Sequence, residues 1–288
     1  MKKININFAD GLASFLLILS LFSPFFANQI KLNNNILTML INCYLIAYFA
    51  YNISFMETKK VGFLFLPLVF YLAFILFYKM NFKLDFSIKL IYDLEEIIIK
   101  YYDLIFVIAV FFIIELFLSK VFGRMITNML AILSLLIYLV MQNTTFLPFD
   151  FYYKDLLAYF AFYVMGSQIK PALKINGLLC VLSAILFALE FYLVNFYFKY
   201  YIGIYLSLFF LTYIILKADK TPENVDFEKY LLMGFLYVNP LVFLLLANYF
   251  HIEVIFILLT SSLITFLFTN IFYKIRVKFI SYLFLGTY

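Results

Sequence analysis

Charge is scarce in this chain. Of its 288 residues, 13% are Asp, Glu, Lys or Arg, about half the share of an ordinary soluble domain. There is no tryptophan, one histidine and two cysteines. Cys43 and Cys180 lie far apart in apolar runs, so the spacings of a zinc site and of a disulfide framework are both missing. A single histidine, His251, rules out a paired-histidine metal motif and leaves no Ser-His-Asp order to defend. The eight glycines are scattered, which excludes a phosphate-cradling loop. The net charge of +5 comes from basic residues standing singly or in pairs. That pattern is no nucleic-acid footprint.

What is present is apolar. Hydrophobic residues make up 67% of the chain, with 40 Phe and 25 Tyr. A globule of this size cannot hide that much apolar surface, and disorder requires the opposite composition. Lipid must be the solvent. The expectation is an all-α, polytopic integral membrane helix bundle in one domain, residues 1–288. Without tryptophan, tyrosine is expected to supply the interfacial aromatic belt. The Ile-, Phe-, Asn-, Lys- and Tyr-rich composition points to an A/T-rich bacterial genome, and with the apolar runs to a protein of the bacterial inner membrane.

A helix needs about 20 apolar residues to cross the bilayer. Ten segments meet that need, near 9–28, 36–55, 61–78, 101–118, 125–141, 152–169, 177–198, 200–216, 231–250 and 252–272. They are continuously apolar, unlike the alternating strands of a β-barrel. Cleavage after Ala27 would put Phe25 where a signal peptidase needs a small residue, so the first span is expected to stay. With both termini cytoplasmic, 14 of the 21 basic residues fall inside and 7 outside, the bias that sets topology. In the outer connection 79–100, Leu84, Ile88, Ile91, Leu94, Ile97 and Ile98 recur at helical spacing between charges. It reads as an interfacial amphipathic helix, or as a cover over an outward cavity. The polar stretch 217–229 reads as a cytoplasmic loop.

Several landmarks resemble the acyltransferase-3 family of bacterial membrane O-acyltransferases. The passage Phe146-Leu147-Pro148-Phe149-Asp150, followed by the apolar run through Gly166 to Lys170, is similar to the family's leucine-proline, apolar span, glycine and basic residue. Lys59-Lys60 before Pro67 resembles its approach to the third span, with lysine where arginine is usual. Tyr282-Leu283-Phe284-Leu285-Gly286 resembles its ending just after the last span. The resemblance implies ten spans, an acyl donor such as an acyl-CoA, and acylation of a lipid-linked glycan or surface polysaccharide. The family's first-span histidine is missing: residues 10–24 contain none. Acyl transfer to a hydroxyl needs a positioned base, so no catalytic residue carries over. The chain is then a degenerate or inactive relative, or a divergent protein that shares only the layout. The rival readings are a transporter or flippase-like carrier of a lipid-linked or small amphiphilic substrate, and a structural subunit with a membrane-protein partner.

Ionisable residues inside spans mark functional sites. Glu190, in the seventh span among Leu186, Phe187, Leu189 and Phe191, suits a proton relay or general acid; the structural alternative is a bond to Tyr or Asn on a neighbouring span. Glu115 is expected to pair with Lys120. Asp10 opens the first span and is placed to cap it and complement its dipole. Asn239 precedes Pro240 and either marks a kink or stands in as a hydrogen-bonding residue, though not as a base. His251 beside Glu253 is a base or a solvated interfacial residue. Asn42, Asn52, Asn195, Thr212, Thr260, Ser261, Ser262, Thr265 and Thr269 read as interhelical glue.

Overall fold

The computed structural model describes residues 8–30, 34–56, 61–62, 65–67, 69, 73, 89–143, 154–170, 177–196, 202–218, 227–249, 254–275 and 284–285. Among them are nine long helices: α1 (Phe8–Ile30), α2 (Asn34–Ser54), α3 (Lys89–Val121), α4 (Gly123–Asn143), α5 (Asp155–Gln168), α6 (Gly177–Phe196), α7 (Ile202–Ala218), α8 (Phe227–Tyr249) and α9 (Val254–Ile275). Four contain stretches long and apolar enough to cross a membrane: Leu37–Ser54, Leu104–Val121, Gly123–Met141 and Phe256–Lys274. By length and composition the chain is a multi-pass helical membrane protein.

The centre is α2. It packs against α1, α3, α5 and α7, and every residue from Cys43 to Tyr51 is buried. The sequence explains this, since that stretch is apolar or aromatic all the way round, as a fully enclosed helix must be. The outer helices are one-sided. On α4, Met125, Met129, Ile132, Leu136 and Val140 face outward, while Thr127, Ser134 and Tyr138 are buried. On α9, Phe256, Leu259, Leu263 and Ile271 face outward, while Ser261, Thr265 and Thr269 are buried. Apolar side chains lie outside and hydroxyls inside, which inverts the arrangement of a soluble bundle.

Lipid is as apolar as leucine, so the hydrophobic effect does not drive these helices together. Close packing and hydrogen bonds must. Gly166 of α5 lies against the backbone of Ala47, and a Cβ there would collide with the Ala47 carbonyl. The α8–α9 pair uses the same device, with Gly234 against the Thr269 methyl. Between α3 and α4 the chain turns at Gly123, whose φ of 81° is left-handed and favours glycine.

Two elements differ from the sequence expectation. Helix α3 is 33 residues long, about 50 Å at 1.5 Å per residue, well beyond the ~30 Å hydrocarbon core. Residues 89–100 therefore belong to the same helix as the apolar stretch after them. No Pro or Gly interrupts residues 89–121, and charges alone do not end a helix. The expected span 152–169 is represented by the 14 residues of α5, about 21 Å. The remainder of 79–100, most of 61–78 and the centre of 217–229 lie outside the described residues.

Candidate functional site

The buried polar groups gather around α2 in two layers. At the end where α2 finishes and α1 begins, the hydroxyl of Tyr48 donates to the Asp10 carboxylate. One turn earlier, Tyr44 donates to the Ala9 carbonyl at 3.4 Å. Asp10 is only 3% exposed. It stands in the first turn of α1, where it complements the helix dipole, and its carboxylate turns inward to a second helix.

The same layer holds Glu115 of α3. The Ser167 hydroxyl on α5 lies 2.5 Å from its Oε1. Arg124, at the start of α4, is the cation in its electrostatic surroundings. The expected pairing with Lys120 is replaced, because α5 packs against α3 and offers a hydroxyl at the level of the carboxylate. Beside it, the Gln168 side chain donates to Asn128 of α4.

The second layer lies where α2 begins. Tyr138 of α4 and Tyr205 of α7 have their hydroxyls 3.0 Å apart. Those hydroxyls stand 2.8 and 2.9 Å from the Met39 sulfur. The rings meet edge to face with centroids 5.2 Å apart, a favourable aromatic geometry. Asn42 donates to the Tyr159 hydroxyl at 3.3 Å. The buried Cys43 thiol and Asp155, in the first turn of α5, share an electrostatic neighbourhood with Tyr138 and Tyr159.

Three of the four sequence candidates lie among the described residues. Asp10 joins α1 to α2. Glu190, half-buried on α6, lies directly over Gly203 of α7, where a Cβ would strike its carboxylate. Asn239, fully buried on α8, accepts from Thr265 of α9 at 3.2 Å. Its Nδ2 has no hydrogen-bond partner among the described residues. Pro240 follows inside the same helix. His251 lies outside the described residues.

The tyrosines depart most from expectation. Tyr44, Tyr48, Tyr51, Tyr138, Tyr163, Tyr205 and Tyr237 are buried in the bundle, so tyrosine does much more than form an interfacial belt. A sequence signal existed: Tyr44, Tyr48 and Tyr51 recur at i, i+4 and i+7, one helix face. Nothing comparable marks Ser167 or Asp155. Of the residues read as glue, Asn42 and Thr265 bond across helices. Asn52, Thr260, Ser261 and Thr269 bond to carbonyls of their own helices, a common alternative for short polar side chains. No family model, curated protein or solved structure matches this chain.

Proposed function

We propose that the chain is a ten-span protein of the bacterial inner membrane, with both termini cytoplasmic, and that it carries a lipid-linked or small amphiphilic substrate. One observation carries this reading: polar groups run along α2 from Met39 to Asn52 with carboxylates at both ends. That distance is about 20 Å, some two-thirds of the hydrocarbon thickness. Asp10 and Glu115 stand in one layer, and Asp155 in the other, with Glu190 at the α6–α7 pair on that side. Carboxylates inside membrane bundles are costly and mark ion and substrate paths. A structural subunit has no need of them at two depths.

Acyl transfer is the second reading. It draws on the resemblance and on one further observation: Asp10 places a buried carboxylate on the first helix, the helix on which the family holds its base. Its weakness is chemical, because residues 10–24 hold no histidine to serve as the family's base.

The carrier reading makes a direct prediction. In proteoliposomes, the chain moves a fluorescent polyprenyl-phosphate-linked sugar across the bilayer faster than empty vesicles do. Glu190→Gln slows this about tenfold, equivalent to about 1.4 kcal/mol. Translocation no faster than in empty vesicles would contradict the reading. Loss of surface-glycan O-acyl groups on deleting the gene, seen by mass spectrometry, would select acyl transfer instead.

A further inference from the structure

A serine hydroxyl has one proton to give. The Ser167 Oγ lies 2.5 Å from Glu115 Oε1 and 3.0 Å from the Val164 carbonyl oxygen. A carbonyl oxygen only accepts. While Glu115 is charged, the single O–H serves both acceptors only as a shared three-centre bond; once Glu115 is protonated, each contact can be a full hydrogen bond of its own. Its carboxyl O–H then donates to Ser167 Oγ, and the Ser167 O–H donates to Val164. When Glu115 gives up its proton, the Ser167 O–H becomes the donor to the carboxylate and its bond to the carbonyl weakens.

A second observation points to the same place. Tyr163 precedes Ser167 by one turn on the same face of α5, and it is fully buried. Its hydroxyl has no hydrogen-bond partner among the described residues, and it stands within electrostatic reach of Glu115. A buried orphan hydroxyl is expensive. This hydroxyl lies within electrostatic reach of the Glu115 carboxyl without bonding to it. The groups facing Glu115 are Ser167 and Tyr163 from α5 and Arg124 from the start of α4.

We propose that Glu115, Ser167 and Tyr163 form a proton-binding site, in which the Glu115 carboxyl takes up and releases one proton while the Ser167 hydroxyl switches acceptor. The site deepens the carrier reading by naming the proton as its coupling ion, and it rests on that reading for its use though not for its existence.

The test is pH-difference infrared spectroscopy of the full chain in lipid nanodiscs. The wild type shows a protonated-carboxyl C=O stretch that disappears as pH rises. In Glu115→Gln this band is lost, and in Ser167→Ala it moves to the frequency of a carboxyl without that acceptor. Tyr163→Phe keeps the band but shifts its midpoint, because the phenol dipole within electrostatic reach of the carboxyl is removed. Identical spectra for wild type and Glu115→Gln, or an unmoved band in Ser167→Ala, would overturn the site. Ser167→Ala removes only one oxygen, so it reads the site even where Glu115→Gln fails to fold. Loss of probe translocation with the band intact would count against the carrier reading alone, and loss of the band with translocation intact against the site alone.

Discussion

Gly166→Ala is expected to lower the stability of the folded chain by about 3 kcal/mol, at the upper end of overpacking costs. Alanine is the better helix former by about 1 kcal/mol, so propensity alone predicts the opposite sign. Sterics win because the added methyl meets backbone atoms of Ala47, on the most enclosed helix of the bundle. Moving α2 aside opens the Asn42–Tyr159 contact, and moving α5 opens both that contact and Glu115–Ser167. Gly62 supplies the control. It is exposed, and a Cβ there meets nothing, so alanine should be neutral or stabilising by up to about 1 kcal/mol. Gly234→Ala should fall between, because the Thr269 methyl it meets belongs to a side chain that can turn. With no tryptophan to report unfolding, Cys43 serves: buried in the folded chain, it reacts with a thiol-sensitive dye as the bundle opens. In a Cys180→Ser background, an unchanged melting temperature for Gly166→Ala would refute the α2–α5 contact.

Tyr48→Phe is the second large effect. It removes a phenol that donates to a carboxylate 3% exposed. Withdrawing a donor from a buried charged group costs about 2 kcal/mol. The loss belongs to the pair, so Asp10→Asn and Tyr48→Phe together should cost less than the sum of the two. A coupling of about 1–2 kcal/mol is expected for residues in direct contact. Strict additivity in this cycle, by the same dye-monitored melts, would show that the two side chains do not meet.

The class of fold was legible because composition alone names lipid as the solvent. So was the break between α3 and α4, since Gly123 falls between two apolar runs. The length of α3 was harder to read. Lys89, Asp93, Glu95, Glu96 and Lys100 suggest an interfacial segment ending before a span, yet nothing in 89–121 breaks a helix. The polar layers were legible only in part. Asp10 and Glu190 stand out as carboxylates in apolar surroundings, a local property. Tyr48, Tyr163, Ser167 and Asp155 acquire their meaning from which helix is central and which neighbours reach it. That is a tertiary fact, and a tyrosine reads the same in a belt as in a core.

The central claim is that the outward apolar faces meet lipid while the polar groups around α2 do not. Spin labels placed singly at Ile132, Leu136, Leu259 and Leu263, all exposed on α4 and α9, test it through their collisions with oxygen and with an aqueous nickel complex. In reconstituted bilayers these four positions should collide strongly with oxygen and weakly with nickel, while labels at the buried Leu139 and Leu258 meet little of either. Strong nickel collisions at the outward positions would place those faces in water and contradict the account.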